Sequence, residues 1–386
     1  MLLNIKTMNK QITDCKIGLL GGGQLGRMLM QEAHNWNLQI SILDPTPSAP
    51  CAHLVKDFVV GDFKDFDTVY NFGKDKDIVT IEFEDVNSDA LLKLEQEGVK
   101  VFPQPSVLKI IQDKGAQKLF YKEHNIPTAP FAIVTSRSEI TTCGVEFPFF
   151  QKLRTSGYDG YGVRKVATLS DMENAFDAAS VIESMADIQK ELSVIVARNE
   201  KGEVTHFPVV EMEFNPESNM VQYLFAPALV NDAVAEEAIS LAKKVIEKLD
   251  MVGILAVELF YTKDGQIWVN EVAPRPHNSG HHTIEANICS QYEQHLRAIL
   301  NLPLGDTATI KYGAMVNLLG EKGFEGTPIY EGMDEVLGMS GTYVHLYGKD
   351  TTKSFRKMGH VTVIGDDADT VKNNAVKILN TLKVKA

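Results

Sequence analysis

Two glutamates on either side of a tight turn are the first residues in this chain whose spacing implies chemistry. They lie in Gly253–Arg275, GILAVELFYTKDGQIWVNEVAPR, where Asp264–Gly265 reads as a two-residue hairpin turn between β-rich runs. Pairing Lys263 with Gln266 and counting back along both strands puts Glu258 opposite Glu271, and opposed residues share one face with Cβ atoms about 4.5–5.5 Å apart. Two carboxylates so placed repel unless a cation neutralises them. Hard oxygen donors with Asn270 beside them suit Mg²⁺ held against nucleotide phosphates. The bland reading, a hairpin with its charges in water, is opposed by the apolar residues around Glu258: Leu255, Ala256, Val257, Leu259 and Phe260. The chain has no GxxxxGK[ST] phosphate loop.

The second constellation is Gly21, Gly23 and Gly26, a GxGxxG turn between a strand (Lys16–Leu20) and a helix, with Asp44 ending the next strand. That is the dinucleotide fingerprint: backbone amides and a helix N-terminus for a pyrophosphate, a carboxylate for the ribose. It leaves three readings open: an NAD(P)-dependent oxidoreductase, a plain packing turn, or a site for a smaller nucleotide-like substrate. His277 and His281 have helical zinc-ligand spacing. Pro276, Asn278, Ser279 and Gly280 are turn formers that spoil a helix there, so a substrate-loop histidine is expected.

The elements that must position these residues fall into three textures. Strands at 16–20, 38–43, 58–60, 78–83 and 99–102 alternate with helices at 25–36, 66–72 and 88–97, which predicts a doubly wound parallel sheet. A long helix at 106–124 follows. From 131 to 270 the strands lengthen, with helices expected at 170–179 and 232–249, as in an α+β domain of antiparallel sheets. A helix at 286–300 and the breaker-rich NLPLG (301–305) lead to strands at 311–318, 343–347 and 360–364 and a last helix at 368–383. At 386 residues, two or three domains are expected. With 38 basic and 51 acidic residues the net charge is −13, which disfavours nucleic acid and anionic membranes as partners. Residues 1–13 lack a signal-like apolar run, Met8 offers a second start, and no stretch approaches about 18 apolar residues. Four scattered cysteines fit a reducing cytosol.

Taken together the motifs resemble the ATP-grasp superfamily and, within it, the 5-(carboxyamino)imidazole ribonucleotide synthetase family. GGGQLGRM (21–28), TIEFEDV (80–86), SGYDGYG (156–162), NEVAPRPHNSGH (270–281) and SQYEQHLRAILNLPLG (290–305) carry the resemblance, which covers nearly everything from Lys16 onward. It implies an α/β plus α+β protein. A substrate-binding parallel-sheet domain spans 14–113, an ATP-grasp domain of antiparallel sheets 114–301, and a small C-terminal α+β domain 302–386. It implies ATP and Mg²⁺ as cofactors, aminoimidazole ribonucleotide and bicarbonate as small-molecule substrates, a cytoplasmic location and a homodimer. Lys114 and Lys152 match nucleotide-site lysines, and Ser156, Gly157, Tyr158, Asp159, Gly160, Tyr161 and Gly162 match the mobile phosphate loop. Glu183, Ser184, Met185 and Ala186 match the adenine-edge segment, Glu191 the ribose carboxylate, Glu211 a further nucleotide position, Asn270 a neighbour of the nucleotide, and Glu258 and Glu271 the Mg²⁺ ligands. For the ribonucleotide the resemblance implies Gly23, Gln24, Leu25, Glu84, Arg275, Asn278, Lys349, Arg356 and Lys357. Lys152, Asp159, Arg275 and His277 are the expected catalytic groups. The loop departs from the family's usual GGYDG-(Lys or Arg)-G at Ser156 and Tyr161, and Arg164 is placed to offset the lost cation. The alternatives are a formate-dependent glycinamide ribonucleotide transformylase, the NAD(P) oxidoreductase, and a non-catalytic nucleotide-binding module.

Overall fold

The computed structural model describes residues 11–155, 162–215, 217 and 220–386. By its internal contacts the chain divides into two compact units, Met1–Pro105 and Ser106–Ala386.

The first unit is a five-stranded parallel sheet in the order Phe58–Val60, Gln39–Asp44, Lys16–Leu20, Ile78–Ile81, Lys100–Phe102. Its strands read as apolar runs because helices cover them, and Ile17, Leu19, Leu20, Ile42 and Val79 are fully buried. The helices start at local signals: Asp65 accepts from Thr68 N–H, and Asn87 accepts from Ala90 N–H.

The second unit opens with a difference from expectation. The long helix 106–124 is two helices, Pro105–Gln112 and Lys114–Glu123, broken at Asp113. Asp113 is extended (φ −117°, ψ 104°), and its carboxylate takes the N–H groups of Gly115 and Ala116 together with the Arg154 guanidinium. An aspartate satisfying orphan donors restarts a helix where periodicity alone would run through. The expected helix at 170–179 is a short 3₁₀ segment, Leu169–Asn174, and that at 286–300 is Thr283–Ala286 followed by Gln291–Ile299.

A four-stranded antiparallel sheet (Phe131–Val134, Ser180–Ser184, Phe149–Leu153, Val163–Val166) accompanies a nine-stranded one. The larger sheet runs Ile267–Ala273, Gly253–Thr262, Ile188–Arg198, Val210–Phe214, Val221–Ala226, Tyr312–Leu319, Lys357–Gly365, Thr342–Leu346, with Val204–His206 beside Ile188–Arg198. The C-terminal strands therefore extend the central sheet, through the pairing of Tyr223–Ala226 with Gly313–Val316. One face is apolar: Leu192, Val194 and Val257 pack on helix Asp232–Lys248, and Ala314, Val316 and Val361 on helix Ala368–Thr381. Strand alternation then places Glu191, Ser193, Glu258, Glu271, Asn317 and His360 on the other face.

Candidate active site

Glu258 does stand opposite Glu271, but by a different route from the one the turn suggested. Tyr261 pairs with Ile267 and Leu259 with Val269, so the loop is the three residues 263–265, with Gly265 at φ +85°. Next to the carboxylates a bulge inserts Asn270 and shifts the register back by one, which restores the Glu258–Glu271 pair. Bulges of this kind re-aim side chains beside functional sites.

Cations surround one side of the pair. Lys114 Nζ lies 3.3 Å from Glu271 Oε2, and the Asp113 break sets this lysine at the start of its helix. Lys152, at the end of its strand, donates to Asn270 Oδ1 at 3.2 Å and pairs with Glu183 at 2.8 Å. Glu183 is buried and also takes Lys118 at 3.2 Å. Burial raises the Glu183 carboxyl, but Lys152 and Lys118 outweigh it and hold the group below the usual range. Lys118 is itself buried, which draws its ammonium down to about 8 against the pull of Glu183. Nothing in the sequence marked Lys118. It lies on a helix of mixed polarity, and its partner is 65 residues away.

The two central carboxylates are driven apart. Burial, then the charges of Glu271 and Glu191, push Glu258 up to about 8, whereas Lys114 holds Glu271 low. Glu191 rises to about 7 through burial and the Glu213 charge. The opposed Glu258 and Glu271, one resisting ionisation and one held ionised, form a donor pair that suits a hard divalent cation. Among the described residues no group of three or more His, Cys, Asp or Glu side chains is assembled for a metal, so phosphate and water oxygens would complete the shell.

His277 closes the site from the other side, its Nε2 3.4 Å from Glu258 Oε1. Burial, with the Arg275 and Lys357 charges, lowers its imidazole to about 3, so it is neutral. Its Nδ1 accepts from Ser279 N–H, which places the ring proton on Nε2, facing Glu258. The buried Gln291 clamps the His277 backbone at both groups, accepting from its N–H and donating to its C=O, each at 2.8 Å. Gly280 makes this possible: a Cβ there would lie 2.5 Å from Gln291 Oε1. Gln291 was another residue the sequence did not mark.

His281 does not converge with His277. It meets the Tyr292 hydroxyl at 3.0 Å and packs against His360 with ring centroids 4.7 Å apart. Five strand spacings separate Gly253–Thr262 from Lys357–Gly365, about 24 Å on a flat sheet. Yet Asn278 and Asn317 exchange two 2.9 Å hydrogen bonds, and the Lys357 charge reaches Glu258. The sheet therefore curls around the segment 277–286. Asn278 spends its side-chain amide on Asn317, which gives it a fixing role in this segment.

Other expected residues are placed as follows. Lys349 donates to the Lys357 carbonyl at 2.7 Å, while Arg356 turns back onto Thr351. The two do not converge across the turn; Lys349 adjoins Lys357 instead. Ser184, Met185 and Ala186 follow Glu183 at the end of strand Ser180–Ser184. Glu211 faces the helix side of the sheet, held by Lys190 and Lys372, away from Glu191 and Glu258. In the first unit Gly23, Gln24 and Leu25 open the first helix, and Glu84 lies three residues past strand Ile78–Ile81. Gly162 is described at φ +77°; Ser156, Gly157, Tyr158, Asp159, Gly160 and Tyr161 lie outside the described residues.

An acidic pair flanked by lysines on antiparallel sheets is the arrangement of an ATP-grasp enzyme, and the ATP-grasp domain model matches residues 119–292. The ribonucleotide synthetase preATP-grasp domain matches 15–112, and the phosphoribosylaminoimidazole carboxylase C-terminal domain 313–374. The chain is 36% identical to the N5-carboxyaminoimidazole ribonucleotide synthase of Bacillus subtilis, covering 94% of this chain and 95% of that one. It is 37% identical to the chloroplastic phosphoribosylaminoimidazole carboxylase of Vigna aconitifolia, over 94% of this chain but only 66% of that longer protein. The crystal structure of N5-carboxyaminoimidazole ribonucleotide synthetase from Thermotoga maritima superposes with a TM-score of 0.90 at 41% identity, covering 96% and 99% of the two chains. The chain belongs to the N5-carboxyaminoimidazole ribonucleotide synthase family.

Proposed function

We propose that this protein carboxylates 5-aminoimidazole ribonucleotide on its exocyclic amine, using ATP and bicarbonate, in purine biosynthesis. The observation that carries this is the opposed Glu258–Glu271 pair flanked by Lys114 and Lys152. Bicarbonate is a poor electrophile, so one of its oxygens first attacks the γ-phosphorus of ATP, giving carboxyphosphate and ADP. The amine then attacks the carboxyl carbon, phosphate leaves and the amine loses a proton. Bound across Glu258 and Glu271, Mg²⁺ would neutralise charge on the transferring phosphoryl group.

The chain's own residues do the rest. Lys114 and Lys152 supply fixed positive charge to the phosphates, and burial strengthens their field. Lys118 and Glu183 lock Lys152 in direction, while the Glu183–Ala186 segment meets the adenine edge and Glu191 the ribose. Neutral His277 directs its Nε2 proton at Glu258 and so orients a carboxylate. Arg275, Lys349 and Lys357 are assigned to the anionic substrates, with Arg356 at the ribonucleotide phosphate; Gln24, Leu25 and Glu84 are assigned to the ribonucleotide on resemblance. We read the protein as a cytoplasmic homodimer on the same resemblance. No helix among the described residues is long and apolar enough to cross a membrane.

The test is ADP release from purified protein. It should require ATP, Mg²⁺, bicarbonate and aminoimidazole ribonucleotide together, above a slow background. Full release in bicarbonate-depleted buffer with no further gain from formate would rule out carboxyphosphate chemistry, and release driven by formate with glycinamide ribonucleotide would replace this reading with the transformylase. A second expectation concerns Arg356. A charge-assisted hydrogen bond contributes roughly 1.5–3 kcal/mol, so Arg356→Ala should raise KM for aminoimidazole ribonucleotide by about 10- to 150-fold and leave KM for ATP unchanged. Equal rises in both constants would put Arg356 in the nucleotide site or the fold.

A further inference from the structure

Strand Ile188–Arg198 buries a serine at the point where one of its faces turns from charged to apolar. On the face that carries Glu191 the next residues are Ser193, Ile195 and Ala197. Ile195 and Ala197 join a small apolar cluster with Ile254, Ala256 and Ala273, whereas Ser193, fully buried too, brings a hydroxyl. A buried hydroxyl needs a hydrogen-bond partner. The partner here is Ser279, with the two Oγ atoms 2.8 Å apart.

Ser279 lies fully buried in the turn Asn278–Gly280, and its other contacts give this hydrogen bond a direction. Its Oγ is 2.9 Å from His277 Nδ1, the atom that also accepts from Ser279 N–H at 3.2 Å. An imidazole nitrogen that accepts from an amide carries no proton of its own. The Ser279 hydroxyl therefore donates to Nδ1, and the Ser193 hydroxyl donates to Ser279 Oγ. The chain of donors runs from Ser193 through Ser279 to His277 and ends with Nε2–H facing Glu258, 3.4 Å from Oε1.

The origin of this chain is fixed. Ser193 pairs with Val210 on one side and with Glu258 on the other, so its strand cannot shift without breaking two ladders. The register that sets Glu258 opposite Glu271 also sets Ser193 opposite Glu258. A carboxylate and the hydroxyl that governs the imidazole facing it thus stand on adjacent strands at a spacing held by backbone hydrogen bonds. The turn approaches this closely because residue 280 is glycine: a Cβ there would lie 2.3 Å from Ile195 Cδ1. One amide at 3.2 Å leaves the His277 ring room to swing, and a second donor at 2.9 Å, itself held from the sheet, removes that freedom.

We propose that Ser193 and Ser279 are positioning residues, a two-hydroxyl brace that keeps His277 in its Nε2–H tautomer and aims that proton at Glu258. Neither touches the reacting atoms; each acts through the next. The kinetic consequence rests on the function proposed above; the brace itself does not.

The experiment compares full-length wild type, Ser193→Ala, Ser279→Ala and the double variant, with thermal unfolding to check the fold. In protein carrying ¹⁵N-labelled histidine, the His277 ring resonances are assigned by their loss in His277→Asn. Wild type should show Nδ1 as an unprotonated acceptor and Nε2 as a protonated nitrogen. Ser279→Ala should move the Nδ1 resonance toward that of a nitrogen without a partner, and Ser193→Ala should move it the same way by less. Ser279→Ala should lower kcat about tenfold, equivalent to about 1.4 kcal/mol, and Ser193→Ala about fivefold, the scale of one neutral hydrogen bond. KM for ATP and for aminoimidazole ribonucleotide should stay within about twofold, the pattern of an interaction lost only in the transition state. Because Ser193 acts only through Ser279, the double variant should match Ser279→Ala at about tenfold, whereas independent effects would multiply to about fiftyfold and overturn the chain. A protonated Nδ1 in wild type, or an Nδ1 resonance that moves in neither single variant, overturns the brace. A lowered midpoint with kcat unchanged overturns the positioning role and leaves the two hydroxyls as packing. If one single variant does not fold, the resonance and kcat of the other decide. If wild type shows no turnover with this ribonucleotide, the functional reading falls while the Nδ1 resonance still judges the brace.

Discussion

Glu271→Gln will lower kcat by at least about 100-fold, the scale seen when one preorganised charge-stabilising group is lost from an active site, and will leave the fold intact. The isosteric amide keeps the strand pairing with Glu258 but removes the charge that Lys114 holds ionised. It also relieves the repulsion that helps push the Glu258 carboxyl up. The thermal midpoint of the nucleotide-free variant should therefore match or exceed that of wild type. Activity within tenfold of wild type at saturating Mg²⁺ would show that the opposed carboxylates are not the metal site.

The second large effect should come from a residue with no motif to announce it. Lys118 is 2% exposed and shares the buried Glu183 carboxylate with Lys152. Lys118→Met leaves that carboxylate with one cation in place of two. Breaking a buried ion pair from one side costs about 3–5 kcal/mol, and the lower end is expected because Lys152 remains. KM for ATP should rise as well, since Lys152 then swings toward Glu183 and away from Asn270. Adding Glu183→Gln should recover at least half of the lost stability, because the uncompensated charge is gone. Denaturant titration of the two single variants and the double variant measures this coupling. A loss below about 1 kcal/mol in Lys118→Met, or no recovery in the double variant, would mean that the cluster is not held by charge.

What could be read from the sequence was local in origin. The first unit's strands and helices follow from apolar runs alternating with amphipathic stretches, so the parallel sheet was legible, with helix starts at 66 and 88 that the caps Asp65 and Asn87 explain. The Glu258–Glu271 pair was legible for a partly mistaken reason. The loop is one residue longer than Asp264–Gly265 implied, and the Asn270 bulge offsets the difference. Neither is visible in strand periodicity, which a one-residue slip would have inverted. The break at Asp113 escapes periodicity because helical spacing continues through it; its carboxylate caps Gly115 and Ala116 and is braced by Arg154, 41 residues away. Lys118, Gln291 and Ser193 share that cause. Each acts through a contact between elements distant in the chain, and residue type alone does not reveal such a contact. Lys349 and Arg356 show the converse: closeness in sequence suggested a shared anion, and the folded turn sends one side chain to Lys357 and the other to Thr351.

The hydrogen-bonded ladder runs unbroken from Ile267–Ala273 to Thr342–Leu346, so the acidic pair and the basic tail are mounted on a single plate. Parting them would mean tearing the pairing of Tyr223–Ala226 with Gly313–Val316 or another rung like it. There is thus no hinge within the sheet to spend on a handover. Under the function proposed above, an activated carboxyl group made over Glu258 and Glu271 would meet Lys349 and Lys357 across a separation fixed by that ladder. For a species that water destroys, a fixed gap is a form of timing: transfer competes with hydrolysis over a constant distance and does not wait on a domain swing. A protein cut near residue 302 would lose more than a tail, since the strand Val221–Ala226 would be left as a raw edge of the catalytic plate.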